Sequence, residues 1–447
     1  MNRRELAAIG FMTFALFLGA GNLIFPPLMA QQAGDNWLLA VAGFLVTAVG
    51  LPAITLLILA RLPSVEHLTL GLPKWMDRSF WLLIFTTIGP AFALPRAVTV
   101  AYEMGVKPFY SGDGLLLFSV FFCVLTLVLA LRPGKLVDYI GKVMTPALII
   151  MLCALTLFAL FNPLGSASEA TGPYQSAPVV SGLTQGYMTL DALAAVVFGW
   201  VIINAIRRTD KKSTNGRRNT LTRSTLVIVG IYAILMSACY LAMGYLGATS
   251  SNIAPNAGNG GEILAAYAAG QFGMMGQVIL ALITLIACLT TTVGITTANA
   301  HYYENTYGVK FALSTGIICG LTATISNIGL EALIQLSLPV ILVLCPVAIS
   351  LVMAVIVIPA KSGVQGAPAI SKGQTLVVSV AALFGTLDAL MILGKLPEDA
   401  IELGQSMLPL FNENLSWLVP AVITLMLLKL VRLLNTSKRN SIAELQQ

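Results

Sequence analysis

The sequence contains about twelve apolar runs, and each is close to the roughly 20 residues that an α-helix needs to cross a bilayer. Only 10% of the 447 residues are charged and 57% are hydrophobic, whereas about a quarter of the residues in a soluble domain are charged. Such a chain cannot bury its apolar surface in one core, so the membrane must act as its solvent. We therefore predict an all-α integral membrane protein with spans at 6–29, 37–60, 80–104, 114–131, 143–161, 183–206, 224–247, 273–300, 311–328, 332–358, 374–393 and 415–434.

Lysine and arginine side chains predict the orientation, because they are concentrated in cytoplasmic loops. If the N-terminus is cytoplasmic, all of the 25 lysines and arginines fall in cytoplasmic segments except Lys107, Lys395 and Arg96, which lies within the third span. We therefore predict a multi-pass protein with both termini in the cytoplasm. The net charge of +6 reflects this orientation, with the basic loop 207–218 as a topology anchor, and we predict no nucleic-acid partner.

The chain carries none of the common signatures of catalysis. No catalytic triad pattern, phosphate-binding glycine loop, CxxC or HExxH motif is visible. The six cysteines all fall in apolar spans, which is typical of packing residues and not of a metal site or a disulfide framework. We therefore predict that the chain is not an enzyme and uses no cofactor. Its oligomeric state stays open.

The most unusual segment is FLGAGNLIFPP (17–27), which places two glycines, an asparagine and two prolines in the first span. Backbone groups freed in a bilayer are costly unless protein, water or ligand satisfies them. The segment is therefore either a tolerated kink or an opened binding site. Its counterpart five spans later is GYMTLDALAAVVFGWVIINAI (186–206), and paired broken helices are typical of transporters built from inverted repeats.

This pairing predicts one transmembrane transporter domain over 1–447 with a 5+5 inverted repeat, in which helices 1 and 6 are broken. The predicted parts are a first repeat at 5–162, an inverted second repeat at 183–358, two additional helices at 374–434 and a cytoplasmic tail at 435–447.

Three polar features of the spans are candidates for function. A carboxylate within a span costs about 2.5–3.5 kcal/mol, so Asp191 is a cation or proton site, a counter-ion for an amine, or a cap at a helix break. Arg96 holds a substrate carboxylate, pairs with Asp191, or is structural. Thr296 and Thr297 offer the hard oxygen ligands of a small cation, unless they bond the carbonyl four residues earlier.

Five segments resemble those of the bacterial branched-chain amino acid:cation symporters. The resemblance implies import of leucine, isoleucine and valine across the bacterial cytoplasmic (inner) membrane, coupled to Na⁺ or sometimes H⁺. It implies a small amino acid, a monovalent cation and the lipid bilayer as partners. The segments are GFMTFALFLGAGNLIFPP (10–27), GPAFALPRAVTVAYE (89–103), RPGKLVDYIGK (132–142), GYMTLDALAAVVFG (186–199) and SNIGLEALIQLSLPVI (326–341).

A more distant resemblance links three short runs to the leucine-transporter (LeuT) fold: GAGN (19–22), YMTLD (187–191) and VGITTA (293–298). It implies that free amides at the first break hold the substrate carboxylate and that free carbonyls and threonine hydroxyls hold sodium. With Arg96 added, the predicted substrate-binding residues are Gly19, Ala20, Gly21, Asn22, Arg96, Thr189 and Asp191. The predicted sodium-binding residues are Ala15, Leu18, Val293, Thr296 and Thr297.

Two departures from that fold affect the expected mechanism. The arginine that follows GN in the fold is missing from GNLIFPP, so we expect Arg96 to serve the exterior gate. Asp191 stands where the fold has a serine, so its carboxylate either engages the substrate amine or substitutes for one ion. The alternatives are a cation symporter of the same fold for another small neutral solute, and an ion channel.

Overall fold

The computed structural model describes residues 2–110, 112–131, 145–211, 218–357 and 371–445, and these ranges form helices with no strand. The helices are α1 (Arg3–Phe17), α2 (Ala20–Ala33), α3 (Trp37–Leu45), α4 (Leu51–Arg61), α5 (Lys74–Thr86), α6 (Ala93–Gly105), α7 (Leu115–Ala130), α8 (Thr145–Phe161), α9 (Pro178–Met188), α10 (Asp191–Lys211), α11 (Arg218–Ala248), α12 (Gly260–Tyr307), α13 (Phe311–Ser326), α14 (Leu330–Val357), α15 (Lys372–Ile392), α16 (Glu398–Met407) and α17 (Leu418–Leu445).

Six helical stretches of the described residues are long and apolar enough to cross a membrane. A seventh is added if α9 and α10, bent by 44° at their junction, count as one span. The chain is therefore a helical multi-pass membrane protein, while the count of about twelve spans and the inverted repeat stay predictions. Shorter apolar helices cover Leu115–Ala130, Leu152–Phe161 and Phe311–Ser326.

Some sequence features fall outside the described residues. The segment 132–142 lies wholly outside them, and so does the central part of the basic loop, 212–217. The last two residues of the predicted cytoplasmic tail, 446–447, are also outside.

The first break separates α1 from α2. Leu18 has φ −71° and ψ 79°, and Gly19 is extended at φ −108° and ψ −167°. The Gly19 amide donates to Phe17 O at 2.7 Å, so it does not bond the Ala15 carbonyl that a continuing α-helix would use. The two prolines of the segment lie inside α2, beyond the break.

The second break separates α9 from α10 at Thr189 and Leu190. Leu190 has a φ of +67°, a left-handed conformation that costs an ordinary residue roughly 1–2 kcal/mol. The Leu190 amide still donates to Tyr187 O at 3.0 Å, which closes the end of α9. Backbone strain of this kind is held in place by its surroundings and collects at functional sites.

Two further interruptions affect the helices beside the breaks. Between α5 and α6, the segment Thr87–Ala91 forms a π-helical turn in which Gly89 has non-helical angles, φ −90° and ψ −127°. Within α12, Gly273 adopts φ +58° and ψ −147°. Glycine tolerates this positive φ, and the turn coincides with the predicted start of the span at 273–300.

Glycines bring pairs of helix backbones into direct contact. A Cβ atom on Gly182 of α9 would lie 1.9 Å from Ala40 O of α3, and one on Gly43 of α3 would lie 1.9 Å from Val179 O of α9. We call this contact the α3–α9 seam. It holds the half-helix before the second break against α3.

The segment between α11 and α12 packs on α2. Gln31 Nε2 donates to Ser250 Oγ at 2.8 Å and to Ala254 O at 2.9 Å. A Cβ on Gly260 would lie 2.0 Å from Ile24 O, so the start of α12 contacts the α2 backbone directly.

The chain divides into two compact units. The first comprises Met1–Arg61 and Ile84–Ser337 and contains both breaks. The second comprises Leu62–Leu83 and Leu338–Gln447. In the second unit α15 packs on α17, and its core includes Ala354, Val377 and Leu425.

Candidate functional site

A cavity lies where the two breaks meet, within the first unit. The space open to the centre of a water molecule is about 30 Å³, which corresponds to about two or three waters. All of the predicted substrate-binding residues line it, together with Leu190 of the second break. Its remaining walls are mainly apolar and include Leu16, Phe17, Ile88, Ala97, Phe198 and Ile295.

The N-terminal end of α2 forms one side of the cavity. The amides of Ala20 and Gly21 begin the helix, where N–H groups lack intrahelical partners and the helix dipole is positive. Asn22 Nδ2 donates to Phe17 O and, at 3.4 Å, to Asp191 Oδ1. Because both partners are acceptors, the amide nitrogen must face them. Asn22 Oδ1 is buried and has no hydrogen-bond partner among the described residues.

Asp191 opens α10 with a buried carboxylate that is 4% exposed. Oδ2 accepts a hydrogen bond from Tyr240 Oη at 3.0 Å, and Oδ1 accepts one from Asn22. The Asp191 amide donates to Thr189 Oγ1 at 3.3 Å, which supports the break. A carboxylate offers about four lone-pair sites, so Asp191 retains capacity to accept from a further donor such as an ammonium group.

Arg96 of α6 reaches across to the second break. Nη1 donates to Met188 O at 2.7 Å and Nη2 donates to Thr189 O at 3.0 Å. The guanidinium lies 5.4 Å from the centre of the Phe25 ring. A Cβ on Gly21 would lie 2.8 Å from Nη2, so glycine at this position leaves room for the arginine.

The direct Arg96–Asp191 ion pair considered from the sequence is wrong, because no nitrogen–oxygen distance between the two is within 4.0 Å. The guanidinium is instead turned toward the carbonyl end of α9, where a positive charge complements the helix dipole. At the C-terminal end of α6, Glu103 Oε2 accepts from Lys107 Nζ at 2.6 Å, and this hydrogen bond raises the pKa of Lys107, which lies beyond the helix.

The predicted sodium-binding residues lie at the end of α1 and on α12, which pack against each other. A Cβ on Gly294 would lie 2.8 Å from Leu16 Cδ2, so the two helices are close here. Thr297 Oγ1 donates to Val293 O at 2.8 Å, whereas Thr296 Oγ1 is buried without a partner in the described part of the chain. None of Ala15, Leu18, Val293, Thr296 and Thr297 lines the cavity itself.

Three residues at the site were missed by sequence reasoning. Tyr240 donates a hydrogen bond to Asp191, and nothing in its apolar sequence context predicts this contact. Thr291 faces the first break, since a Cβ on Gly19 would lie 3.1 Å from Thr291 Cγ2. Asn299 is fully buried on α12. The polar run TTT at 290–292 was the only signal available for Thr291.

Comparison with known proteins assigns the chain to a family. A family model described as "Branched-chain amino acid transport protein" matches residues 2–434. The chain belongs to this family. Its resemblance to branched-chain amino acid carriers, first seen in short segments, is thereby confirmed over nearly the whole chain.

Several curated relatives of this branched-chain amino acid transport protein match almost end to end. The "Branched-chain amino acid transport system 2 carrier protein" of Pseudomonas aeruginosa is 40% identical, with 95% of each chain covered. The "Branched-chain amino acid permease BrnQ" of Escherichia coli K12 is 36% identical over 96% of this chain and 95% of the relative, and that of Bacillus subtilis is 35% identical over 93% of each. Both descriptions name transporters, in agreement with the prediction of a non-enzyme.

Solved structures show that the fold is that of LeuT-like transporters. Mhp1, a nucleobase-cation-symport-1 family transporter, matches with a TM-score of 0.62 at 13% identity, over 97% of this chain and 92% of that chain. A manganese transporter of Eremococcus coleocola matches with a TM-score of 0.58 at 14% identity, over 94% and 95%. MhsT in complex with L-phenylalanine matches with a TM-score of 0.51 at 14% identity, over 87% and 98%.

Proposed function

We propose that this member of the family is a secondary active symporter that imports leucine, isoleucine and valine through the bacterial cytoplasmic membrane. The driving force is a Na⁺ gradient or, as the alternative, an H⁺ gradient. The observation that carries the proposal is the chemistry of the cavity at the two breaks. It presents a helix N-terminus and one carboxylate, and its other walls are mainly apolar.

This chemistry matches an aliphatic amino acid. The Ala20 and Gly21 amides, at the positive end of α2, suit the substrate carboxylate. Asp191 has acceptor capacity for the ammonium group. Arg96 and Asp191 are the only charged side chains among the lining residues. Arg96 already donates hydrogen bonds to two backbone carbonyls. The substrate side chain therefore meets neutral, mostly apolar groups.

The cavity is too small for the proposed substrate without movement. A branched-chain amino acid occupies far more space than two or three waters, so the half-helices around the breaks must shift to admit and release it. Such a shift is the alternating access expected of a 5+5 inverted repeat, in which one bundle moves around a midplane site. Repeats at 5–162 and 183–358, with two additional helices and both termini cytoplasmic, fit this mechanism.

The proposed cation site lies between α1 and α12. Its ligands are the free carbonyls of Ala15 and Leu18, the Val293 carbonyl and the hydroxyls of Thr296 and Thr297. The unpartnered Thr296 oxygen supports this assignment most directly. At the second break the Arg96 guanidinium donates to the carbonyl end of α9, so those carbonyls already have a cationic partner.

Uptake of radiolabelled leucine into proteoliposomes tests the proposal. An imposed Na⁺ gradient is compared with an H⁺ gradient of equal size, and unlabelled isoleucine, valine, lysine and glutamate are tested as competitors. We expect Na⁺-driven uptake that only isoleucine and valine suppress. Uptake driven by protons alone would transfer the coupling role to Asp191. The absence of leucine uptake from folded protein would favour another neutral solute, and conductance without substrate would favour a channel.

The cation site has its own test in single threonine variants. Thr296→Ala removes a free oxygen and is expected to raise the half-saturating Na⁺ concentration about tenfold, the effect of one lost contact to a charged group. Thr297→Ala is expected to have a smaller effect, because that hydroxyl already bonds Val293 O. Thr315→Ala is the control, since its hydroxyl is paired with Phe311 O on α13. An unchanged Na⁺ dependence in Thr296→Ala would move the ion site elsewhere.

A further inference from the structure

Asn299 on α12 carries a buried oxygen without a partner. The residue is 0% exposed, and its Nδ2 donates to Ile295 O at 3.0 Å. Because a carbonyl can only accept, the amide nitrogen must lie on the Ile295 side and Oδ1 on the opposite side. Oδ1 makes no hydrogen bond within the described ranges. A buried acceptor of this kind lowers stability unless a donor or a cation satisfies it.

The Asn299 oxygen faces the interruption between α5 and α6. A Cβ on Gly89 would lie only 2.6 Å from Oδ1, so the space in front of the oxygen exists because residue 89 is a glycine. The Gly89 backbone is non-helical, and the next residue, Pro90, has no N–H to offer. The oxygen is therefore next to an irregular backbone segment and not in a continuous helix interface.

Asn299 shares α12 with two other buried oxygens that lack a partner among the described residues. Thr291 Oγ1, Thr296 Oγ1 and Asn299 Oδ1 are all buried and unpaired among the described residues. Asn299 follows Thr296 by three positions, which places the two side chains about one helical turn apart on neighbouring faces. Ile88 and Ile295 line the cavity. Gly89 follows Ile88 in the sequence, and Asn299 donates a hydrogen bond to the Ile295 carbonyl, so both residues lie next to the cavity wall.

We propose that Asn299 Oδ1 is a further ligand for the coupling cation, beside Gly89 and one turn from Thr296 toward the cytoplasm. This inference rests on the proposed function and on its orientation, in which α12 runs from the exterior to the cytoplasm. The cation leaves the Thr296 position by way of the Asn299 oxygen. A neutral amide oxygen suits this role, because an ion must bind well enough to enter a position and weakly enough to leave it.

The test compares the two faces of the membrane. Right-side-out vesicles expose the exterior face and inside-out vesicles expose the cytoplasmic face, and the Na⁺ concentration for half-maximal leucine transport is measured from each. For Asn299→Ala we expect an increase of about tenfold from the cytoplasmic face, the effect of one lost contact to a charged group. For the same variant, we expect the half-maximal Na⁺ concentration from the exterior face and the leucine KM to change by less than about twofold. For Asn299→Asp, we expect the half-maximal Na⁺ concentration from the cytoplasmic face to decrease.

Thr292→Ala is the matched control on the same helix, because the Thr292 side chain is also buried but its hydroxyl is paired with Leu289 O. Equal shifts from both faces would overturn the proposal in favour of a structural role for Asn299. A change confined to the leucine KM would make Asn299 a substrate ligand, and no change at all would also overturn the proposal.

Gly89→Ala provides a second variant in case Asn299→Ala does not fold. The new Cβ displaces the Asn299 oxygen, so this variant should reproduce the one-sided loss of Na⁺ affinity, and the double variant should add nothing further. Gly230→Ala is its control, since no atom beyond the adjacent backbone of its own helix lies within 4 Å of the added Cβ. If the wild type shows no Na⁺-driven transport, the proposed function fails. If it does and these variants behave like wild type, only the role of Asn299 fails.

Discussion

Arg96 and Asp191 contact the second break from different directions. Arg96 donates to the carbonyl end of α9, and Asp191 starts α10 and accepts from Tyr240 and Asn22. Each charge is held by backbone or neutral groups, so neither is neutralised by direct contact with the other. At the residue scale, this separation leaves Asp191 able to bind an ammonium group.

Asp191→Asn tests that role. The variant replaces a carboxylate oxygen with an NH₂ group, which cannot accept from Tyr240 or from an ammonium group. We expect uptake of leucine to fall at least about tenfold while the protein still folds and expresses. Near-normal transport would remove Asp191 from the mechanism.

Tyr240→Phe tests how the carboxylate is held. It removes the 3.0 Å hydrogen bond to Asp191 Oδ2 but keeps the ring, and we expect a higher leucine KM by several fold. Tyr232→Phe is the matched control, because Tyr232 is also fully buried on α11 but its hydroxyl donates to Ala48 O at 3.4 Å and not to Asp191. Equal effects of the two variants on leucine KM would contradict a specific role for the Tyr240–Asp191 hydrogen bond.

Arg96→Lys tests the contact with the carbonyl end of α9. A lysine keeps the charge but cannot present the planar fork that bonds Met188 O and Thr189 O together. We expect uptake to fall by about tenfold or more, and the free energy of unfolding in detergent to fall by about 1.5–3 kcal/mol for one lost charged hydrogen bond. Lys107→Gln is the control, because it removes a positive charge from an exposed ion pair. Full activity in Arg96→Lys would show that charge alone suffices.

At the element scale, the site depends on half-helices that are held in place by backbone contacts. The α3–α9 seam fixes the half-helix before the second break, and Gly260 sets the start of α12 against α2. A helix interrupted near its middle cannot rely on its own continuous hydrogen bonding, so packing against neighbours must position each half.

Gly182→Ala tests the α3–α9 seam. The added Cβ would lie 1.9 Å from Ala40 O, so the helices must separate. We expect a loss of about 3 kcal/mol or more in the free energy of unfolding, the upper end for overpacking, together with reduced uptake. Gly230→Ala is expected to be neutral or stabilising, because the new methyl group enters open space. Thermal unfolding in detergent measures the stability of both variants. Equal stability of Gly182→Ala and Gly230→Ala would contradict this account of the seam.

At the scale of the whole molecule, the family assignment and the orientation rest on different observations. The family is shown by the match over residues 2–434, whereas cytoplasmic termini follow only from the distribution of lysine and arginine. The described helices include six long apolar stretches, a number that does not by itself fix the side on which each loop lies.

Cysteine labelling tests the orientation. In protein whose native cysteines have been replaced, Ser251→Cys and Lys310→Cys are introduced at opposite ends of α12. We expect a membrane-impermeant maleimide to label position 251 in right-side-out vesicles and position 310 only in inside-out vesicles. Lys395→Cys, near the end of α15, should behave like position 251. Labelling of positions 251 and 310 from the same side would contradict the predicted course of α12.

Sequence patterns alone predicted the class of protein, the two interruptions and the family. These features are local, because each depends on a residue and its immediate neighbours. They rest on the transfer of an apolar run into lipid, the conformational freedom of glycine and the cost of burying Asp191. The first break lies at Leu18 and Gly19, beside the GAGN run, while the prolines of 17–27 are accommodated within α2. The count of spans and the boundaries of the repeats stay predictions.

The contacts between polar groups, in contrast, become visible only when the helices are packed together. Asn22 and Asp191 are 169 residues apart, and Tyr240 and Asp191 are 49 apart. The turn of Arg96 toward Met188 O and the approach of Asn299 to Gly89 likewise depend on how separate helices are rotated and packed. No local pattern records such a rotation, because it minimises the energy of all the neighbouring helices at once.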